Sequence, residues 1–186
     1  RALLLYPMNA LVNDQLSRLR RLFGAPATRD WFKQHGGRPV KFGRYTSRTP
    51  FPGVIPDDTK RISQKLAGLR FFVDLERRAA SNNDPKAKDL LDAMRTMGKW
   101  PAKDIGDKPG LALWLGVSGP WKDSDGNLRR AVENPDDTEL LTRHEIQAAA
   151  PDLLVTNYSM LEYMMLRPIE RSVFQQTRDY FVANPN

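Results

Sequence analysis

The chain has 186 residues, of which 40% are hydrophobic, and this length is enough for one ordinary domain with a core of its own. It contains no cysteine and only two histidines, so the sequence excludes a disulfide framework and a cysteine-ligated zinc site. The formal net charge of +7 favours a polyanionic partner, although charge alone leaves open a basic surface that has no dedicated partner. No apolar run reaches the ~20 residues of a membrane span, and we expect a cytoplasmic protein without membrane contact.

The first predicted element is a strand over the apolar run 2–6, which reads Ala-Leu-Leu-Leu-Tyr and is ended by Pro7. Continuous apolar runs of this length are typical of parallel strands that are buried on both faces. A helix follows from about Asn9 to Phe23, since leucines recur near one face and Gly24 supplies a C-cap. Strand, tight turn and helix together make one βα unit.

The middle of the chain gives weaker signals. A second strand is predicted at Val40–Tyr45, between Gly-Gly-Arg-Pro and Ser-Arg-Thr-Pro. Residues 58–98 are highly charged but helical in pattern, with an Asp-Pro start signal at 84–85 and a stop near Gly98. Residues 99–137 are rich in Gly, Pro and Asp and indicate loops, apart from an apolar island at 111–117 that is a candidate strand.

The last part of the chain again predicts regular structure. A short helix is capped by Thr138 or Thr142 and is ended by the Pro-Asp pair at 151–152. The run Leu-Leu-Val-Thr then predicts a buried strand, with a corner at Asn157 and a helix from Met160 to Leu166 that a proline interrupts. The two ends of the chain therefore predict an α/β fold built of βα units around a long insertion.

Both predicted strand-to-helix corners carry small polar side chains. In an open parallel sheet, ligands bind where strands end and helices begin, and free N–H groups at a helix N-terminus suit phosphate. Asn9 and Gln15 would add donors at the first corner, and Thr156 and Asn157 at the second. Two such corners predict a track for a phosphate chain. A role as helix caps alone is the alternative for Asn9 and for the Thr-Asn pair, and a surface position is the alternative for Gln15.

For two further groups of side chains, the sequence is compatible both with a nucleic-acid contact and with a purely structural role. Arg44, Tyr45 and Thr46 suit a grip on a nucleic-acid strand, or a basic edge strand that is protected from aggregation. Tyr158 and the tyrosines and methionines after it favour core or interface packing over a base-stacking platform. The residues alone thus predict a basic α/β domain with two phosphate-binding corners, and they identify no reaction, catalytic residue or metal site.

Three segments resemble superfamily 2 DEAD/DEAH-box helicases. "LLLYPMNALVNDQLSRLRRLFG" resembles motif Ia, and "APDLLVTNYSMLEYMMLRP" resembles the Ib region, with Thr-Asn in place of the commoner Thr-Pro. "FGRYTSRTP" resembles the strand and loop where relatives carry Tyr-Thr-Gly or Tyr-Asp-Gly. The resemblance is closest to large bacterial helicases with a C-terminal DUF1998 region, which include components of anti-phage defence systems. It does not extend into the middle of the chain.

The resemblance implies a RecA-like parallel sheet of the P-loop NTPase fold, in a first motor domain that couples ATP hydrolysis to movement along nucleic acid, here expected to be DNA. Such contacts go mainly to phosphates and sugars and imply little sequence reading. The positions that match the family's nucleic-acid contacts are Pro7, Met8, Asn9 and Gln15 at motif Ia, Arg44, Tyr45 and Thr46 beside it, and Thr156, Asn157 and Tyr158 at the Ib region.

The departures from the family pattern concern ATP. The chain contains neither the Gly-x-x-x-x-Gly-Lys-Ser/Thr phosphate loop nor an Asp-Glu-x-His or Asp-Glu-x-Asp box. We therefore expect a fragment of the motor domain from between the Walker A and DEAD/DEAH motifs. The parent protein would require ATP and Mg²⁺, whereas we expect this segment alone to bind neither and to be inactive.

The expected organisation is residues 1–55 as the first part of the motor domain, 56–137 as a family-specific insertion and 138–186 as its continuation. Trp100, Trp114 and Trp121 make the insertion a candidate surface for DNA or a partner subunit, and a solvated decoration is the alternative. Two other functions stay open. One is a non-catalytic basic nucleic-acid-binding or scaffold module, a degenerate helicase remnant. The other is an unrelated α/β enzyme, which the lack of a glycine-rich loop and of an acid/base cluster disfavours.

Overall fold

A four-stranded parallel sheet forms the centre of the chain in the computed structural model, which describes residues 1–50, 69–81, 84–103, 111 and 137–185. The sheet has the strand order β1-β4-β2-β3, and every neighbouring pair is parallel. The predicted α/β fold with a parallel sheet is confirmed. The strands are β1 (Ala2–Tyr6), β2 (Phe42–Tyr45), β3 (Glu139–Leu140) and β4 (Leu153–Asn157).

Seven α-helices lie within these described ranges, and none of them is long and apolar enough to cross a lipid bilayer. A 3₁₀ turn, Pro168–Glu170, joins the last two of these helices. The helices are α1 (Asn9–Phe23), α2 (Pro26–Gly36), α3 (Arg70–Ala80), α4 (Pro85–Thr96), α5 (Arg143–Ala148), α6 (Tyr158–Leu166) and α7 (Arg171–Ala183).

Strand β1 corrects one expectation from the sequence. It was predicted to be buried on both faces, but it forms an edge of the described sheet and pairs with β4 alone. Leu4 and Tyr6 pack towards α1, whereas Leu3 on the other face keeps 46% of its surface exposed. The prediction was wrong because an apolar run indicates apolar neighbours without saying how completely helices cover each face of the strand.

Apolar side chains cover the two faces of the sheet separately. On one face α1 contributes Val12, Leu16 and Leu19, a spacing that keeps three side chains on one side of a helix. On the other face Ile146, Met160, Met164 and Val173 from α5–α7 pack around β2 and β4. A third cluster joins α3 and α4 through Val73, Leu75, Ala87 and Leu91 to Trp100, Leu111 and Leu141.

Trp100 is therefore a core residue, only 3% exposed, and not a surface aromatic. Trp114, Trp121 and most of the candidate strand at 111–117 lie outside the described residues. Of the two cap candidates for α5, the structure selects Thr142, whose hydroxyl accepts the N–H of Glu145 in a reciprocal capping box. The expected helical pattern at 58–98 is observed as α3 and α4 within its described part.

Buried ion pairs link segments that lie far apart in the sequence. The guanidinium of Arg20 on α1 donates two hydrogen bonds to Glu139 on β3, at 2.8 and 2.7 Å. Lys103 lies between the carboxylates of Asp137 and Glu145, and its ammonium is fully buried. Pairs of this kind tolerate the removal of one partner poorly, since the other charge stays buried and unpaired.

Candidate nucleic-acid interface

The two strand-to-helix corners lie side by side. Strand β1 pairs with β4 in a register that sets Leu5 opposite Thr156 and Tyr6 opposite Asn157. Because both strands are parallel and end at the same level, the helix starts that follow them meet at the carboxyl edge of the sheet. Helix α1 begins at Asn9, two residues after β1, and helix α6 begins at Tyr158, directly after β4.

A hydrogen bond between two amides joins the corners. The Asn157 Nδ2 donates to Asn9 Oδ1 at 2.7 Å, across 148 positions of sequence. The Oδ1 of the same Asn157 accepts the backbone N–H of Met160 at 2.8 Å and so caps α6. Asn157 therefore acts as a cap and as a bridge at once, and the sequence alternatives of cap or contact do not exclude each other.

Asn9 does not cap its own helix. Met8 occupies the N-cap position of α1 with extended backbone angles and no side-chain cap bond, and Asn9 is the first helical residue. No acidic residue lies in the first turn of α1 or of α6, so no side-chain charge there offsets the positive end of either helix dipole. Pro7, Met8 and Tyr158 surround this point and are exposed, Met8 and Tyr158 by 58% and 59%.

The polar row continues along α1 towards β2. Tyr6 donates its hydroxyl to Gln15 Oε1 at 3.2 Å, and Arg44 Nη1 donates to Asn13 Oδ1 at 2.7 Å. Burial lowers the pKa of the Arg44 guanidinium; the Glu139 carboxylate opposes this effect, and the nearby charges of Arg20 and Arg48 add to it. Three arginines and one carboxylate thus act on one another at the carboxyl edge of the sheet.

Three of the predicted contact residues have buried side chains. Tyr45, Thr46 and Thr156 are each no more than 1% exposed. Thr156 Oγ1 donates to the carbonyl of Tyr45 at 2.6 Å, which ties the end of β4 to the end of β2. Side chains in these positions hold the strand ends in register and, in this arrangement, do not face a bound strand.

Of these three buried side chains, Tyr45 is held by two side-chain hydrogen bonds and a cation–π contact. Its hydroxyl donates to Glu170 at 2.9 Å and accepts from Gln147 Nε2 at 3.0 Å, and the Arg143 guanidinium lies 4.9 Å from its ring centre. Burial and the neighbouring Glu170 carboxylate raise the pKa of the Tyr45 hydroxyl well above its usual value. The Tyr45 hydroxyl therefore stays neutral, and the side chain packs in the hydrophobic core.

Two residues of the edge are not in the predicted contact set, although Asn13 is one of three amides that the sequence places around the first corner. Asn13 receives Arg44, and Arg48 stands exposed on the turn after β2. Asn13 follows Asn9 by four positions, and residues four apart lie on the same face of a helix, so this spacing was the available signal. Nothing local to Arg48 distinguishes it from the other arginines of the chain.

Comparison with known proteins gives one strong similarity. The chain is 42% identical to Druantia protein DruE from Escherichia coli (strain UMEA 4076-1) over 192 aligned positions, which span 99% of this chain and 10% of the relative. The chain thus corresponds to about a tenth of the length of the curated relative that it matches. No protein-family model and no solved structure matches the chain.

Proposed function

We propose that this chain is part of the first RecA-like motor domain of a superfamily 2 DNA helicase or translocase, and that it contributes contacts to the nucleic-acid backbone. The observation that carries the proposal is the amide bridge between Asn157 and Asn9, which holds two helix N-termini together at one edge of a parallel sheet. Helix N-termini bind phosphate through unpaired N–H groups and the helix dipole, and two adjacent termini suit successive phosphates of one strand.

The proposed contact surface consists of the exposed and half-exposed members of the predicted set. Direct contact falls to Pro7, Met8, Asn9, Asn157 and Tyr158, with Arg44 and Gln15 extending the surface along α1. Tyr45, Thr46 and Thr156 support it from inside the sheet. Contacts of this kind carry little base specificity, so binding is expected to depend strongly on salt and weakly on sequence.

We propose that ATP and Mg²⁺ are bound by a longer protein of which this chain is one part. The chain holds neither a phosphate loop nor an acidic box, so its own residues do not fit an ATP–Mg²⁺ site. We propose that the residues for hydrolysis lie elsewhere in a protein of which this chain is one part, and no step of hydrolysis is assigned to the residues described above.

Anti-phage defence is the biological role that we propose for the whole protein. The similarity to Druantia protein DruE supports it, and so does the resemblance of both ends of the chain to helicases that include defence components. A non-catalytic scaffold is the second candidate. It is favoured by the exposed apolar side chains of α6, where Tyr163, Met165 and Leu166 are 61–74% exposed, as is typical of a surface that meets a partner.

Two substitutions of Asn157 in the full-length protein test the proposal. Asn157→Asp and Asn157→Ser both keep an N-cap oxygen for Met160, so α6 should remain folded in both. The Asp variant adds a negative charge that repels phosphate. We expect DNA-stimulated ATPase to fall much further in the Asp variant than in the Ser variant, and further than basal ATPase.

Equal loss of basal and stimulated ATPase in both variants would assign Asn157 a folding role and contradict the proposal. A full-length protein that binds DNA but has no ATPase activity under any condition would contradict the motor and favour the scaffold.

A further inference from the structure

A cavity lies at the same edge of the sheet as the two corners. Its volume is about 770 Å³, and it is open to solvent between α1, the turn that follows β2 and the helices α3 and α4. Asn13 and Arg44, which continue the polar row from the corners, form part of its lining. The volume is within the roughly 300–1,000 Å³ range of small-molecule sites in proteins.

One wall of the cavity carries an excess of positive charge. Four cations line it, Arg20, Arg44, Arg48 and Lys99, and Glu139 is the one carboxylate among its described lining residues. That carboxylate is already engaged by two hydrogen bonds from Arg20 and by the N–H of Ala102. Arg44, Arg48 and Lys99 make no hydrogen bond to a carboxylate of this described lining, although the Glu139 carboxylate acts on Arg44 at longer range. The excess of cations suits an anion.

A second wall of the cavity, defined here as Leu69, Phe72 and Met94, is apolar. Leu69, Phe72 and Met94 are partly buried and pack against the core cluster of α3 and α4. The Phe72 ring lies edge-on to Trp100, with ring centres 5.5 Å apart, so its position is set by a buried neighbour. An aromatic ring and two flexible apolar side chains form a surface on which a planar base can stack.

Arg48 is held by a well-bonded turn. Thr49 Oγ1 donates to the carbonyl of Arg44 at 2.7 Å and accepts the N–H of Thr46 at 3.0 Å. The N–H of Arg48 donates to Thr46 Oγ1 at 3.3 Å. The turn fixes the backbone and leaves the Arg48 side chain exposed at the mouth of the cavity, so little ordering of the backbone is needed on binding.

We propose that this cavity receives one nucleotide of a single strand, with its phosphate against Arg44, Arg48 and Lys99 and its base against Leu69, Phe72 and Met94. The inference rests on the proposed function for its partner, nucleic acid, and adds that the strand is unpaired where it passes the inserted helices. A base must leave the stack to enter a cavity, which costs least in a strand that is already single.

The charged wall is tested by a double variant and a matched control in the full-length protein. Arg48→Ala with Lys99→Ala removes two cavity cations, and Lys86→Ala with Arg178→Ala removes two exposed cations outside the cavity. The probe is a fluorescent oligo-dT strand, and the readout is its dissociation constant across a salt series. We expect the cavity variant to bind roughly tenfold more weakly and to lower the salt slope by about 1 to 2, the loss expected for one or two phosphate contacts. Equal behaviour of the two double variants would overturn the proposal.

The apolar wall is tested by cross-linking without any substitution. An oligonucleotide that carries 5-iodouracil is irradiated on the unaltered protein, and the cross-linked peptides are identified by mass spectrometry. The proposal predicts adducts at Phe72 or Met94. Adducts confined to peptides away from α3 and α4 would overturn it. A second contradicting result is a cavity variant that loses binding of free thymidine monophosphate but binds the oligonucleotide strand as tightly as the unaltered protein does.

Failure of this inference is distinguishable from failure of the proposed function. If the corner variants lose DNA binding while the cavity variant keeps it, the proposed backbone contacts are supported and the proposed nucleotide site in the cavity is contradicted. Loss in the cavity variant alone would support the cavity and contradict the corners.

Discussion

Gly98 is a residue at which two distant segments meet. It follows α4 with a backbone φ of 68°, the left-handed region that favours glycine. A Cβ at this position would lie 2.1 Å from the carbonyl oxygen of Ser17 on α1, far inside van der Waals contact. The absence of a side chain therefore lets the end of α4 approach α1, beside the cavity wall. The sequence indicated a helix stop here, but the approach to Ser17 depends on residues 81 positions away and has no local signal.

Gly98→Ala and Gly37→Ala separate these two effects. Gly37 also has a positive φ, 75°, but a Cβ there would meet nothing within 4 Å. We expect Gly37→Ala to lower the free energy of unfolding by about 1–2 kcal/mol, the cost of the left-handed conformation alone. Gly98→Ala should cost about 3 kcal/mol or more, because the contact with backbone adds to that strain. Urea unfolding measures both, and equal losses would contradict the close approach of α4 to α1.

At the scale of elements, one buried cation joins three segments. Lys103 follows α4, Asp137 precedes β3, and Glu145 lies on α5. Burial alone would lower the pKa of the Lys103 ammonium, but the carboxylates of Glu145 and Asp137 outweigh it and hold that pKa above its usual value. The charged form of Lys103 is thus part of the fold.

Lys103→Met is expected to destabilise the chain strongly. The substitution keeps a side chain of similar length but leaves two carboxylates buried side by side, which we expect to cost about 3–5 kcal/mol of unfolding free energy. Lys88→Met on the exposed face of α4 is the matched control and should stay within about 0.5 kcal/mol. Thermal unfolding compares the two, and a Lys103→Met variant as stable as the control would contradict the buried linkage.

Elements with a strong local pattern were predictable from the sequence. The bounds of β1 and α1 follow from an apolar run, a proline and a leucine period, all of them local. Helix α2 was missed although Pro26 at its first turn and Gly37 at its end are standard boundary signals, because no buried residue marks its face. Strand β3 has two residues, and its only apolar side chain is Leu140, so its pairing with β2 depends on the completed sheet.

At the scale of the whole molecule, the candidate site was predictable in outline. Parallel strands bring their carboxyl ends to one edge, so the corners at Asn9 and Asn157 were expected near each other, and they are hydrogen-bonded. The side-chain directions were not predictable, because Tyr45 and Thr156 turn inward only once α5 and α6 cover that face of the sheet. The cavity was not predictable either, since it needs α1, the turn after β2 and the helices α3 and α4 together.

Asn9→Asp tests, with little disturbance of the fold, whether the bridged corners bind nucleic-acid phosphates. The new carboxylate can still accept the hydrogen bond from Asn157, and a negative charge in the first turn stabilises α1 by about 0.3–1 kcal/mol. The matched control is Gln175→Glu, which adds the same charge on α7, the helix that contacts the opposite end of β1 through Arg1 and Thr177.

The decisive measurement is the dissociation constant of a single-stranded oligonucleotide for full-length Asn9→Asp and Gln175→Glu at one salt concentration, with the melting temperature of each recorded. We expect Asn9→Asp to melt no lower than the unaltered protein yet to bind the strand at least roughly tenfold more weakly, since loss of a charge-assisted phosphate contact and a new repulsion act together. Gln175→Glu should bind as the unaltered protein does. Equal affinity of the two variants, at equal stability, would contradict the claim that these corners hold a phosphate backbone.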